Sequence, residues 1–258
     1  MQVIKDLFKK ESKEEIQETI KLSQLTVHKL DWLEYLTMGL AIWFFFYPKP
    51  YILLFSVLLV IPIFGIILNG IHKPSFASLV DISLDKKENL KYDVADFIDV
   101  AAWVILIRVI IDFNFENYYS LIIPAIISLT IVFSLLFATH KKIEKSNRSK
   151  VWIYTSVIFN VSIYSIAATY GMNCTYDSSN PKVYQTKILD KTIETGRKGK
   201  KTYYIEIAPW GHHYDKEELK VSQTQYDNYS IGETVEVDLK EGFLGIPWFY
   251  VEKSKNSY

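Results

Sequence analysis

Long apolar runs separated by short charged segments fill most of residues 31–170 and constrain the fold more than any other feature. A helix rises about 1.5 Å per residue, so about 20 apolar residues are needed to cross the hydrocarbon core of a bilayer. Five runs approach or reach that length, at residues 31–47, 51–68, 97–113, 119–139 and 151–170. The sequence therefore predicts an α-helical multi-pass membrane protein with about five spans.

Proline residues mark the limit of the first run and interrupt the second. The first run ends at Pro48-Lys49-Pro50, which a helix does not cross, so the first two runs are predicted to form an antiparallel hairpin. Two full crossings and a re-entrant pair are both compatible with this hairpin. Pro62 lies inside the second run and predicts a kink there.

Lysine and arginine are distributed unevenly between the connecting segments. Residues 1–30, 69–95 and 140–150 together hold fifteen of them, whereas the two short connections on the opposite side hold one, Lys49. Because positively charged loops stay in the cytoplasm, we expect a cytoplasmic N-terminus and an extracytoplasmic C-terminal segment. Residues 1–30 carry an apolar stripe, which predicts an amphipathic helix on the membrane surface or against the cytoplasmic side of the protein.

The composition indicates a bacterial source and excludes some function classes. Isoleucine, lysine, asparagine, tyrosine and phenylalanine are abundant, which is typical of AT-rich bacterial genomes, so we expect a bacterial plasma (inner) membrane. The 29 Lys and Arg residues balance 29 Asp and Glu residues, which gives no indication of nucleic-acid binding. The single cysteine, Cys174, excludes an internal disulfide and is either a structural thiol or an intermolecular one.

After residue 180 the pattern changes to alternating stretches, rich in tyrosine and valine, between glycine and proline turns. About five short strands are predicted within residues 180–252, which suffice for a small all-β domain that forms a closed or nearly closed barrel. The predicted strands cover residues 183–191, 202–208, 219–222, 233–239 and 247–251. A domain of this size is marginally stable alone, so we expect the membrane part or a partner to support it.

Three stretches of the C-terminal segment are distinctive: Lys-Thr-Tyr-Tyr-Ile-Glu-Ile at 201–207, Ile-Gly-Glu-Thr-Val-Glu-Val at 231–237 and Gly-Phe-Leu-Gly-Ile-Pro-Trp at 242–248. With them, residues 180–252 resemble the small β domain of uncharacterised bacterial multi-pass membrane proteins of unknown function. The resemblance implies a fold and no functional residue, and it does not extend to the membrane half.

His212, His213 and Asp215 are the candidate metal ligands that the sequence suggests. A catalytic zinc site needs three ligands that converge, whereas adjacent side chains of an extended strand point to opposite faces. A tight turn is required to bring both imidazoles to one ion. We therefore expect an exposed polar turn here, with neither a metal nor another cofactor.

Arg108 and Asp112 are charged residues in the third apolar run, four positions apart. At that spacing they pair on one helix face, and the Arg108 side chain can reach the nearby membrane interface. The alternative is a transport role, because a charge inside a span is a functional candidate by default. Asp93, Asp96 and Asp99 at the other end of the run indicate either a solvated helix start or a cation entry.

Trp210 and Trp248 each follow a proline in the β segment. Exposed together, they would form an aromatic patch for a partner, whereas buried rings would belong to the core of the β domain.

The motifs of common enzymes are missing from the sequence, which contains no Gly-rich phosphate loop, no nucleophile elbow and no His-Glu-x-x-His. The favoured hypothesis is a non-catalytic accessory or scaffold subunit whose outer β domain docks on another membrane or envelope protein. One alternative is a small-solute or ion transporter that uses Arg108 and Asp112. Another is a membrane enzyme that uses Asp81, Asp85 and Asp93. A homo-oligomer is compatible with all three.

Overall fold

The computed structural model describes residues 30–72, 76–84, 90–140, 150–196 and 199–254, together with 13–14, 17–18 and 21. The chain divides into two compact units, a helical unit and a β unit. The helical unit comprises Met1–Asp112 and Leu121–Tyr176, and the β unit comprises Phe113–Ser120 and Asp177–Tyr258. The amphipathic helix predicted for residues 1–30 and the basic linker at 140–150 fall almost entirely outside the described residues.

Five long helices form the described part of the helical unit, and each coincides with one of the apolar runs. They are α1 (Asp31–Phe46), α2 (Tyr51–His72), α3 (Asp96–Asp112), α4 (Ile122–Thr139) and α5 (Lys150–Thr175). Among the described residues, three segments are long and apolar enough to cross a membrane: Tyr51–Ile71, Tyr119–Thr139 and Val151–Thr175. With 16 and 17 residues, α1 and α3 are shorter, at about 24–26 Å.

α3 packs against α1, α2 and α5 and so lies at the centre of the helical unit. Its buried side chains recur at helical spacing and are Phe97, Ile98, Ala101, Ala102, Ile105 and Val109. Gly65 of α2 faces α3 so closely that a Cβ atom there would lie 2.4 Å from the Phe97 ring. A small residue therefore sets the distance between two helices, as is common in membrane bundles.

A hairpin that the sequence did not predict follows α2. Its strands, β1 (Val80–Leu84) and β2 (Leu90–Val94), are antiparallel and place Asp81 directly opposite Asp93. Asp85, the third aspartate of the enzyme alternative, lies outside the described residues. Apolar and polar residues alternate over only a few positions in this segment, and the segment is rich in charged residues. Its sequence pattern is therefore that of a polar loop.

Phe76, just before β1, anchors this polar segment to the helices. Its ring lies 5.7 Å from that of His140, next to the end of α4, and 5.5 Å from that of Tyr154, near the start of α5. Phe76 therefore lies at the end of the helical unit where α4 ends and α5 begins.

The described part of the β unit is one curled antiparallel sheet of six strands in the order β3-β8-β7-β4-β5-β6. The elements are β3 (Asn114–Phe115), β4 (Lys182–Thr195), β5 (Lys201–Ile207), β6 (Glu217–Val221), α6 (Gln223–Asn228), β7 (Thr234–Lys240) and β8 (Trp248–Lys253). The five strands predicted after residue 180 are confirmed. The closed or nearly closed barrel is wrong, because β3 and β6 stand at opposite edges of a half-barrel and do not pair.

The curl of the sheet begins in β4, the longest strand. Its residues 182–187 pair with β7, and its later residues pair with β5 after a register shift between Ile188 and Asp190. Such a bulge bends a strand and increases its twist. The concave side of the sheet encloses the core, which includes Ile188, Ile205, Ile207, Trp210, Leu219, Val235, Val237 and Phe249.

The strand β3 belongs to the connection between α3 and α4, which the sequence indicated only as an acidic turn. Asn114 and Phe115 pair with Phe249 and Trp248 of β8. The Phe113 ring also packs edge-on against Trp248, with the centroids 5.1 Å apart. The β unit is therefore completed by a chain segment that lies far from the other strands in the sequence.

Candidate functional site

The two adjacent histidines lie on a tight turn of the β unit. The His213 amide donates to the Trp210 carbonyl at 2.8 Å, and Gly211 between them has a φ of 56°. Glycine adopts this left-handed conformation without a steric penalty. The turn places the two imidazole rings side by side, with centroids 5.3 Å apart. This is the geometry that an extended strand would have prevented.

Glu116, which is 96 residues from His212 in the sequence, meets both imidazoles. Its amide donates to the Pro247 carbonyl at 3.2 Å, directly after β3, and this bond fixes its position. One carboxylate oxygen, Oε1, contacts His212 Nε2 and lies 3.8 Å from His213 Nε2. The three potential ligand atoms lie within 4.8 Å of one another. We call Glu116, His212 and His213 the His–Glu cluster.

Trp210 and Glu217 hold the His213 ring in place. The Trp210 and His213 rings stack with centroids 4.4 Å apart and planes 17° apart. Trp210 Nε1 donates to Glu217 Oε2 at 3.1 Å, and the same oxygen lies 4.0 Å from His213 Nδ1. His213 therefore has one carboxylate near each of its ring nitrogens.

The His–Glu cluster is buried on one side and open on the other. The Glu116 side chain is 11% exposed and that of His213 is 25% exposed, whereas that of His212 is 62% exposed. His213 Nε2 is buried and makes no hydrogen bond with the described residues. Two imidazoles and a carboxylate are ligands that Zn²⁺ and related divalent ions accept.

Asp215, the third ligand suggested by the sequence, is exposed and does not belong to the His–Glu cluster. Glu116 is not recognisable as a ligand from the sequence, because no fixed spacing relates residues that lie so far apart in the chain. The available signal was topological, since the predicted spans place the acidic turn around Glu116 on the same side as the C-terminal segment.

Arg108 and Asp112 form the ion pair that their spacing predicts, at 2.6 Å on one face of α3. The side chains are 15% and 20% exposed. Arg108 Nε is buried without a hydrogen bond to the described residues. Asp96 and Asp99 lie in the first turn of α3, where a helix favours negative charge.

The remaining candidates, Trp210, Trp248 and Cys174, are buried at 3%, 7% and 5% exposure. An aromatic docking patch needs exposed rings. The Trp210 and Trp248 rings are buried in the β unit, which agrees with the alternative that they belong to its core. Trp248 Nε1 donates to Asp177 Oδ2 at 2.8 Å. The Cys174 thiol is buried in the last turn of α5.

Comparisons of the chain with known protein families, with curated proteins and with solved structures found no match.

Proposed function

We propose that the chain is a multi-pass protein of a bacterial plasma membrane, with five crossings and with its β unit on the extracytoplasmic side. The exposed apolar face of α4 is the observation that supports membrane insertion. Ile123, Ile126, Ile127 and Ile131 are each more than half exposed, and a face of this kind is unfavourable in water. The shorter α1 and α3 are proposed to cross as part of the bundle, where tilting and local thinning of the bilayer adjust their length.

The chain topology also supports the proposed sidedness. The pairing of β3 with β8 is what is expected if residues 113–120 and the C-terminal segment share one side of the membrane. Among the described residues, the apolar helices α4 and α5 separate them along the chain, which is consistent with both helices crossing. Phe76 packs beside His140 at the end of α4 and Tyr154 near the start of α5, which is consistent with the two basic connections sharing the other side.

The sidedness is tested by cysteine labelling in a Cys174→Ala background. Tyr214 is 90% exposed in the β unit, so Tyr214→Cys should react with a membrane-impermeant maleimide in intact cells. Lys145→Cys, in the connection between α4 and α5, should react only after the cells are opened. The reverse pattern, or labelling of both positions in intact cells, would contradict the proposed orientation.

For the β unit we propose a non-catalytic role, in which it docks the chain on another membrane or envelope protein. The supporting observation is an apolar pair on its surface, Leu189 and Ile231, which are 44% and 62% exposed. The amide of Gly232 donates to the Ile188 carbonyl at 2.8 Å, so the two apolar residues flank one backbone hydrogen bond. Burial of exposed apolar side chains is the dominant favourable contribution to most protein–protein association.

Docking is tested by placing a photo-crosslinking residue at Leu189 or Ile231 in native membranes. Thr224, which is exposed on α6, is the matched control position. A discrete cross-linked protein from the first two positions and not from the third is expected. The double variant Leu189→Lys/Ile231→Lys should also abolish co-purification of the cross-linked partner, while the size-exclusion profile of the variant itself stays unchanged. Cross-links to the same chain only, or a partner that survives both changes, would contradict docking at this surface.

A transporter is the second candidate, because the Arg108–Asp112 ion pair is largely buried in α3 and Arg108 Nε makes no hydrogen bond with the described residues. Arg108→Lys tests whether transport requires this pair, because it keeps the positive charge and changes the geometry of the hydrogen-bond donors. Loss of solute flux in vesicles with an unchanged amount of folded protein would favour transport. Unchanged flux would contradict the transport role and indicate that the pair is a local contact within α3.

A further inference from the structure

From the His–Glu cluster we infer that the β unit binds a divalent transition-metal ion of the zinc class through Glu116, His212 and His213. The inference is independent of the proposed docking role. It also replaces the expectation of a plain polar turn, with Glu116 taking the place that the sequence suggested for Asp215.

The ligand atoms of the His–Glu cluster converge on one point. Two atoms bound to one tetrahedral zinc ion at about 2.1 Å are about 3.4 Å apart. His213 Nε2 and Glu116 Oε1 are 3.8 Å apart, and His212 Nε2 approaches the same oxygen directly. Both imidazoles thus direct the same nitrogen, Nε2, toward one point, and only small side-chain shifts are needed to admit an ion.

The surroundings of His213 also favour a bound metal ion. Its Nε2 is buried and makes no hydrogen bond with the described residues, although burying a polar atom without a partner is costly. On the other side of the ring, Glu217 lies 4.0 Å from Nδ1. A histidine that binds a metal commonly has a carboxylate facing its second nitrogen, which orients the ring. Stacking on Trp210 limits the rotation of the ring further.

The number of ligands in the His–Glu cluster is that of an open zinc site. Three protein ligands leave a fourth tetrahedral position, and the 62% exposure of His212 places that position at the surface. A site of this kind exchanges its ion or accepts a ligand from outside. The competing explanation is a simple histidine–glutamate ion pair, which needs no metal and predicts no zinc binding.

The test is zinc binding by the full-length protein in detergent, purified through a tag that contains no histidine. Competition with a chromophoric zinc indicator gives the affinity and stoichiometry, and we expect one ion per chain. Glu116→Gln and His212→Ala should each weaken binding by more than the ~10–100-fold typical of a lost orienting contact. Asp215→Asn, a carboxylate change in the same turn, is the matched control and should leave the affinity unchanged.

Two readouts separate a metal site from a structural ion pair. Bound Co²⁺ should give the strong visible absorption of a four-coordinate ion, and Zn²⁺ should raise the unfolding temperature of the wild type but not that of Glu116→Gln. The exposed position of His212 makes His212→Ala the variant that tests binding without a folding defect. The inference is overturned if the wild type and His212→Ala bind zinc equally, or if Asp215→Asn weakens binding as much as Glu116→Gln does.

Discussion

At the scale of single residues, Asp177 connects the start of the second stretch of the β unit, residues 177–258, to the end of that stretch. Its Oδ2 accepts from the Gly242 amide at 3.1 Å as well as from Trp248, and its Oδ1 accepts from the Ser179 amide at 2.7 Å. Lys240 Nζ lies 3.7 Å from Oδ2, and the Asp177 side chain is only 2% exposed. A buried carboxylate with this many donors is strongly held.

Asp177→Asn is expected to lower the free energy of unfolding by about 1–3 kcal/mol at neutral pH, because one amide cannot satisfy all of these donors. The unfolding temperature in detergent, followed by tryptophan fluorescence, measures the effect. Asp227→Asn on the exposed surface of α6 is the control. An equal loss in both variants would contradict a specific role for Asp177.

The same carboxylate predicts a pH dependence. Burial raises the pKa of Asp177, but hydrogen bonds from Ser179 and Trp248 and the charge of Lys240 outweigh burial and hold the pKa below its usual value. The stabilisation is therefore present above pH about 4 and is lost as the pH falls through the folded-state pKa. The stability difference between wild type and Asp177→Asn should shrink below pH 4, and a constant difference would argue against this linkage.

The residues of the His–Glu cluster show how far sequence reasoning reaches at this scale. His212 and His213 stood out by type and adjacency, and the need for a tight turn followed from strand geometry. Glu116 could not be identified, because its approach depends on β3, a strand of two residues that is too short to show any alternation. The Arg108–Asp112 pair was predictable because both partners belong to one helix.

At the scale of elements, the turn at Gly211 decides where both imidazoles point. Gly211→Ala is expected to cost about 1–2 kcal/mol of stability, because an alanine is strained at a φ of 56°. Its Cβ would also lie 3.2 Å from the Tyr184 ring. We expect a weaker zinc affinity, measured by indicator competition.

Gly232→Ala is the control for this turn, because Gly232 has a φ of 81° and open space around its Cβ position. It should cost similar stability while zinc affinity stays at the wild-type value. Equal zinc affinities in the two variants would show that the turn does not position the ligands.

Helix contacts give a second prediction at this scale. Gly65→Ala should destabilise the helical unit by about 1–3 kcal/mol, because its Cβ would overlap the Phe97 ring of α3. Gly39→Ala in α1 meets no atom within 4 Å and should be neutral or slightly stabilising, since alanine favours helix. The temperature at which half of the size-exclusion peak is lost in detergent compares them. A Gly65→Ala variant as stable as Gly39→Ala would contradict this close packing.

The elements were predicted where one physical signal dominated. Uninterrupted apolar runs and the Pro48-Lys49-Pro50 break placed the helices within a few residues, and alternation placed the five C-terminal strands. The hairpin of β1 and β2 was missed, because Lys and Asp residues in it outweigh its short apolar alternation. The curl of the sheet depends on the bulge after Ile188, which periodicity does not reveal.

At the scale of the whole molecule, the β unit is built from two separate stretches of chain, residues 113–120 and 177–258. A protein made only of residues 177–254 would lack β3 and expose the edge of β8. It would also lack Glu116. We expect it to unfold at a lower temperature than a version with residues 113–120 appended through a Gly-Ser linker.

Circular dichroism and zinc titration of the two proteins check this expectation. Appending residues 113–120 with Glu116 changed to Gln separates the contribution of β3 to stability from the contribution of Glu116 to zinc binding. This protein should regain the stability without the zinc affinity. If residues 177–254 alone were as stable as the appended protein, β3 would not contribute to the fold.

The pairing of β3 with β8 has a consequence for synthesis on the ribosome. Phe115 pairs with Trp248, 133 residues later, so at about 5–20 residues per second β3 waits roughly 7–27 s for its partner strand. During that interval α4 and α5 are made, while the hydrogen-bonding groups of β3 and the Glu116 carboxylate have no sheet to join. The last strand to leave the ribosome therefore completes the sheet and brings Glu116 to the histidine turn, so a nascent chain arrested before residue 248 would contain the five long helices and no metal site.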